Sequence, residues 1–261
     1  MPGTVVINCF PESARLYRER HAVVAIDVIR ATTSAITIAA MHQSCFPVHS
    51  LEAALALAGR LENPLLAGEL HGDRPDGFHM DNSPAELSMQ QDLSRPVVLL
   101  STSGTRLIHE AKGSEAIYVA CFRNQRATAS YLIGQHAHIA LIGAGSLGEF
   151  REEDQMCCAW IASDLIRHGY QPEDEQTVAL VERWEGGAAE DCLISESAEY
   201  LKRTGRVKDL NFVLEHVDDL DAAFKVEHGE VVKLEAKRLR SNGMPHKVVK
   251  EEVVAHDSYR R

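Results

Sequence analysis

The stretch AVVAIDVIRATTSAITIAAMH, residues 22–42, decides the fold class. Its first five residues, Ala22 to Ile26, form a short apolar run that reads as a buried strand. The segment Ala31 to His42 then reads as a helix. Asp27 stands at the junction, with Arg30 and the hydroxyls of Thr32 and Thr33 at the start of the helix. A strand that passes through a short polar corner into a helix is the unit from which layered α/β sheets are built.

Working outward, the same unit recurs. Further strands are predicted at Val5 to Cys9, Phe46 to Val48, Leu65 to Ala67, Val97 to Leu100, Ala116 to Val119 and His138 to Ile142. Helices are predicted at Leu51 to Leu61, with Leu51, Leu55 and Ala58 on one face, and from Ser83 as N-cap with Glu86 closing a capping box. Others are predicted at Thr105 to Ala111, at Gln125 to Gly134 behind an Asn124 cap, and at Glu149 to His168. The expected class is a layered α/β/α fold with a mainly parallel sheet, its functional groups lying beyond the carboxyl ends of the strands. Residues 1–261 read as one domain, and a cut near residue 135 would give two α/β halves, although no linker marks it. After about Gln171 the alternation weakens. Gln171 to Gln176 reads as a polar linker, Thr177 to Val181 as a strand or a helical turn, and Glu190 to Leu201 and Val207 to His216 as helices. The tail from Ser241 is basic and polar.

Bulk properties exclude several classes. The chain has 261 residues, 45% of them hydrophobic, enough for a real core. A net charge of -11 argues against nucleic-acid binding and requires local arginines to attract any anionic substrate. No signal peptide or membrane-spanning run is seen. The six cysteines form no C-x-x-C pair, so reduced thiols and a cytoplasmic setting are expected. A homodimer is a fair expectation for such a chain.

Three polar corners carry the chemistry. Asp27 and Arg30 suit a hard cation and a phosphate, although Asp27 would serve equally as a helix cap paired to Arg30. The loop Gly68 to Asp81 leaves a buried strand at Glu69 and carries His71. The run Ser101 to Arg106 sits between a strand and a helix and offers small residues to an anion, without the Lys of a phosphate-binding P-loop. A fourth corner, Gly143-Ala144-Gly145-Ser146-Leu147-Gly148, matches the dinucleotide pattern G-x-G-x-x-G. The acids that follow it, Glu149, Glu152, Glu153 and Asp154, would repel a pyrophosphate, and the acid expected to end a second strand is missing. The 13 histidines show no zinc-site spacing.

Taken in order, AIDVIRATTSA (residues 25–35), LLAGELHGDRPDGFHMDNSP (65–84), LSTSGTR (100–106) and IGAGSLGEFREEDQMCCAW (142–160) resemble the 2-phosphosulfolactate phosphatase (ComB) family. The resemblance implies an α/β phosphohydrolase that uses Mg²⁺ to remove phosphate from (R)-2-phospho-3-sulfolactate. It places the site on Asp27, Arg30, Glu69, Asn82, Ser83, Thr102, Gly104, Thr105, Arg106, Gly145, Glu149 and Asp154. Ser103 stands where the family more often has Asn, and the stretch from His71 to His79 and the last third of the chain diverge.

The roles expected on this basis are as follows. Asp27 and Glu69 hold Mg²⁺. Asp27, Arg30, Glu149 and Asp154 serve catalysis. Asn82, Ser83, Thr102, Ser103, Gly104, Thr105, Arg106 and Gly145 bind the substrate, a small anionic phosphomonoester. Arg74 and Arg123 are the best cations for its carboxylate and sulfonate. An aspartyl-phosphate route of the haloacid-dehalogenase kind needs D-x-D, and residues 27–29 are Asp-Val-Ile. A different small 2-phosphohydroxy acid, a non-catalytic binder of phosphorylated acids and a nicotinamide oxidoreductase are the competing readings.

Overall fold

A computed structural model describes residues 3–146 and 148–235. Leu147 and the basic tail from Ser241 lie outside them. The chain runs β1 (Thr4–Cys9), a 3-10 turn (Pro11–Tyr17), β2 (Ala22–Ile26), α1 (Ala31–Ala40), β3 (Cys45–Val48), α2 (Leu51–Ala58) and β4 (Leu65–Gly68). It continues through α3 (Pro84–Leu87), β5 (Val97–Leu100), α4 (Gly104–Glu110), β6 (Ala116–Ala120), α5 (Gln125–Leu132), β7 (His138–Gly143) and α6 (Glu152–Arg167). The last third holds β8 (Gln171–Pro172), α7 (Glu175–Trp184), a second 3-10 turn (Ala189–Ile194), α8 (Glu196–Arg203), α9 (Val207–Glu215), β9 (Ala222–Glu227) and β10 (Glu230–Glu235).

Two sheets result. The larger has the order β10-β9-β6-β2-β7-β1-β8, and the smaller the order β3-β5-β4. Every pairing is parallel except those of the β9–β10 hairpin at one edge. The expected α/β class with a mainly parallel sheet and helices on both sides therefore holds. The subdivision falls elsewhere than expected. β7 sits between β2 and β1, so a cut near residue 135 would sever the main sheet. The natural division is the insertion of the small sheet between β2 and β6.

Burial explains the continuous apolar runs. All five residues of β2 are buried, as helices or strands cover them on every side. In β5 the two faces alternate: Val97 and Leu99 join the main core, whereas Val98 and Leu100 pack with Val48, Ala54, Leu66 and Phe78 beneath α2. In α2 the buried residue is Ala54, one position before Leu55, which is exposed. The inward face thus runs Leu51–Ala54–Ala58 instead of through Leu55, a one-residue rotation that helical spacing permits.

Other local expectations also change. Thr177 to Val181 belongs to helix α7, capped by Asp174 accepting from Thr177 N. Ser83 caps α3 through Glu86 N, but the Glu86 carboxylate pairs with Lys208 instead of closing a capping box. Asn124 uses its side chain on Cys121 N and Thr128 instead of capping α5. The hairpin and β8 have no counterpart in the sequence reading. The hairpin turns at His228-Gly229, both with positive φ (51° and 88°), as a two-residue primed turn requires. No described helix is long and apolar enough to cross a membrane. All six cysteines are buried and unpaired.

Candidate active site

Because both sheets are parallel, the exits of β2, β4, β5 and β7 open on the same side, and they meet at a cavity of about 250 Å³. β2 contributes Asp27, Ile29 and Arg30; β4 contributes Glu69, His71 and Gly72; β5 contributes Thr102 and Ser103. Ser146 and Arg151 come from beyond β7. Helix α8 closes the wall with Glu196, Ser197, Tyr200, Leu201 and Arg203. A separate cleft of about 330 Å³ between α5, α6 and α7 is lined by Trp160 and Trp184 and holds none of these groups.

Asp27 lines the cavity at the exit of β2. Its Oδ1 accepts from Ala31 N at 3.1 Å. Its Oδ2 accepts no hydrogen bond among the described residues and faces Gly104, where a Cβ would lie 2.3 Å away. Burial raises its pKa to about 7, with the Glu69 and Glu153 carboxylates pushing in the same direction; the Ala31 amide and Arg30 pull it back. Asp154 is pushed up by burial and by Asp27 and Glu153. It lies behind the cavity wall as a strut, its Oδ1 accepting from Val28 N at 2.8 Å and its Oδ2 from Gly145 N at 3.2 Å.

Glu153 is 1% exposed, and among the described residues no donor meets its carboxylate oxygens in good hydrogen-bond geometry, although the Ser197 and Ser195 side chains lie close. Burial raises its pKa, and the nearby Ser195 and Ser197 side chains offset this only in part. Buried carboxylate oxygens are costly unless compensated; of the acids lining the cavity from the strand exits, Asp27 Oδ2 and the last lone pair of Glu69 are the acceptors left to meet a hard divalent ion, with Glu153 buried close enough to raise the Asp27 pKa. Only one or two protein carboxylates need touch such an ion, the remaining positions going to water and substrate.

Glu69 is more heavily engaged than expected. Its Oε1 accepts from Thr102 N at 2.7 Å, and its Oε2 from Gly72 N at 2.7 Å and from Thr102 Oγ1 at 2.9 Å. It therefore ties the β4 loop to the β5 loop and keeps one of its roughly four lone-pair sites for anything else. Thr102 spends its N–H and hydroxyl on Glu69 and accepts from His71 N.

Arg30 is 5% exposed and sits between two acids, with Nη1 2.7 Å from Asp209 Oδ2 and Nη2 3.1 Å from Asp81 Oδ1. Arg206 joins Asp81 at 2.8 Å, and Ser83 donates to Asp209. Ser83 is thereby consumed by this knot and does not line the cavity. Asn82 does line it, and its Oδ1 is buried without a partner.

Several expected residues are not brought to the cavity. Arg106 is half exposed and reaches Glu12 at 3.5 Å, because it projects from the outer face of α4. Glu149 precedes α6 instead of opening it; it is exposed and pairs with Arg151 at 3.6 Å. Thr105 closes a mutual turn with Ser101, and Gly104 and Gly145 act by permitting close approach. Arg74 is exposed against His79 O, and Arg123 is buried in a bidentate pair with Asp219.

Besides Arg30, the arginines that line the cavity are Arg151 and Arg203. Arg151 is 9% exposed with Glu149 and Glu196 each at 3.6 Å, and Arg203, which lies over the Tyr200 ring, has no carboxylate partner among the described residues. The sequence reading missed both, together with Glu153 as an orphan and the Asp81–Arg206–Asp209 knot. The run Glu152-Glu153-Asp154 was visible as acid, but nothing in it marks which member is left unpaired. The dinucleotide reading also fails on geometry, since Asp154 already occupies the Gly145 amide that a pyrophosphate would use.

Comparison with known proteins gives the family. The model of the 2-phosphosulpholactate phosphatase family matches residues 9–227. A probable 2-phosphosulfolactate phosphatase of Clostridium perfringens (strain 13 / Type A) is 30% identical over 224 residues, covering 82% of this chain and 89% of the relative. Proteins of the same name from Symbiobacterium thermophilum (32% over 199 residues, 72% of this chain and 84% of the relative) and Thermotoga petrophila (31% over 213 residues, 81% and 89%) are also similar. The chain belongs to the 2-phosphosulpholactate phosphatase family.

Proposed function

We propose that the chain is a Mg²⁺-dependent phosphatase that converts (R)-2-phospho-3-sulfolactate to sulfolactate and inorganic phosphate. One observation carries the reading. Among the described residues, a single cavity holds both a carboxylate oxygen free of hydrogen bonds, Asp27 Oδ2, and a guanidinium without a carboxylate partner, Arg203. The first suits a hard cation and the second an anionic substituent, as a phosphoester that also bears carboxylate and sulfonate groups requires. The names of the relatives supply the substrate.

Asp27, through Oδ2, and the remaining lone pair of Glu69 would hold the ion, with Glu153 adding negative charge behind them. When bound, Mg²⁺ supplies positive charge to the phosphoryl oxygens and acidifies a water. The protein's own work is positioning and charge. Asp154 pins the amides of Val28 and Gly145, and so holds the β2 and β7 exits at a fixed separation. The Nδ2 amino group of Asn82 and the hydroxyl of Ser103 would donate to substrate oxygens. Arg151 and Arg203 neutralise the carboxylate and sulfonate, and Arg30, already balanced by Asp81 and Asp209, stiffens the wall. Burial lifts the pKa values of Asp27 and Glu153, so a carboxylate of this cluster that the ion leaves free would take the proton of the attacking water.

The test is phosphate release from 2-phosphosulfolactate and from a panel of small 2-phosphohydroxy acids lacking the sulfonate, each with Mg²⁺ and with EDTA. Fastest Mg²⁺-dependent release from the sulfonated ester supports the assignment. Faster release from a sulfonate-free acid would reassign the substrate, and binding without release would make the chain a phosphoacid binder.

A further inference from the structure

We propose that His21, His138 and Glu173 form a second metal site, for a borderline transition-metal cation of the zinc class, at the amino-terminal edge of the seven-stranded sheet. Among the described residues this is the one group of three His, Cys, Asp or Glu side chains whose ligand atoms all lie within 4.8 Å of one another. His21 Nε2 is 2.9 Å from Glu173 Oε1, and His138 Nδ1 is 3.8 Å from the same oxygen. Tetrahedral zinc with two nitrogens and one oxygen needs ligand atoms roughly 3.3 Å apart, and the observed separations straddle that value.

The framework is rigid. His138 opens β7 and pairs in register with Thr4 at the start of β1. His21 immediately precedes β2. Glu173 follows β8 and donates its N–H to Val5 O at 2.9 Å. Four strands therefore fix three ligands without help from a flexible loop, as a metal site requires. Thr4 Oγ1 contacts both Glu173 Oε1 and His138 Nδ1; a metal on Nδ1 would displace its contact with the ring and leave it hydrogen-bonded to Glu173. The second nitrogen of His21, Nδ1, is buried without a partner, so no hydrogen bond on that side fixes the ring's tautomer.

Two imidazoles and one carboxylate select zinc-like ions over Mg²⁺. The side chains of His138 and Glu173 are 31% and 28% exposed, which leaves an open fourth position for water and a path for loading. The site lies at the amino-terminal ends of the strands, opposite to the cavity beyond Gly143 and on the order of 17 Å away along β7. Its chemistry is that of a clamp across strand ends, independent of the phosphatase reading.

The test is a titration of EDTA-treated full-length protein with Co²⁺ in excess Mg²⁺, which occupies the carboxylate cluster. We expect one equivalent with the visible absorption of a low-coordinate imidazole site, displaced by Zn²⁺, and a melting temperature raised by Zn²⁺. His138→Gln and Glu173→Gln should each weaken this binding at least tenfold and abolish the Zn²⁺ shift, while Mg²⁺-dependent phosphate release is unchanged. Glu173→Gln keeps a hydrogen bond to His21 and decides the matter if the histidine variant folds poorly. No stoichiometric Co²⁺ binding, or equal binding in wild type and Glu173→Gln, would overturn the proposal and leave a plain imidazole–carboxylate pair.

Discussion

A Cβ on residue 104 would stand 2.3 Å from Asp27 Oδ2 and 2.7 Å from the Cβ of Ala31. Gly104 is thus the residue that lets the β5 corner close over the β2 carboxylate. Gly104→Ala must push Asp27 aside or open the corner, at about 1–3 kcal/mol of stability, the usual cost of overpacking. Phosphate release should fall at least tenfold and the melting temperature should drop; an alanine variant with wild-type activity would show that the corner is not part of the site.

Asp27→Asn should remove turnover while the fold survives. The amide keeps the shape of the side chain and removes a buried charge that the cluster destabilises. Circular dichroism should be unchanged, and phosphate release should fall by on the order of a thousandfold, the loss expected when a principal electrostatic group is removed.

The same group predicts a pH dependence. Its folded-state pKa is about 7 against an ordinary 3.8. The native state therefore holds a proton that the unfolded chain releases, so this contribution is complete below about pH 3.8 and is lost as pH rises through about 7. In EDTA the melting temperature should fall across that window more steeply in wild type than in Asp27→Asn. Identical pH profiles for the two proteins would show that Asp27 is not the titrating group.

Arg203→Ala should raise KM about tenfold, the equivalent of about 1.4 kcal/mol, with a smaller effect on kcat, because the proposed partner of Arg203 is a part of the substrate that does not react. Arg203→Lys should recover part of the loss. An unchanged KM on the sulfonated ester would remove Arg203 from substrate recognition.

Asp209→Ala leaves the buried guanidinium of Arg30 without its 2.7 Å partner and Ser83 without its acceptor. Breaking one side of a buried pair costs about 3–5 kcal/mol. Denaturant unfolding should show a loss of that size, and a loss below about 1 kcal/mol would mean that Asp81 alone satisfies Arg30.

The parallel core was legible because both faces of its strands are buried, which writes apolar runs such as Ala22 to Ile26 directly into the sequence. The convergence of Asp27, Glu69 and Thr102 was legible for the related reason that parallel strands present their exits on one side. What stayed hidden depends on pairings distant in sequence. Nothing local shows that Asp209 neutralises Arg30 across 179 positions, that Arg123 is spent on Asp219, or that α8 brings Arg203 over the cavity. The division into two sheets was also hidden, because β3, β4 and β5 carry the same pattern as the strands of the main sheet.

Asp27 is proposed to hold a catalytic Mg²⁺ beside a phosphoester. The most direct test is phosphate release from 2-phosphosulfolactate by wild type and Asp27→Asn across a Mg²⁺ titration. The account predicts saturable Mg²⁺ activation in wild type, its abolition by EDTA, and none in the variant. Undiminished release by wild type in EDTA, or the same Mg²⁺ response in Asp27→Asn, would contradict it.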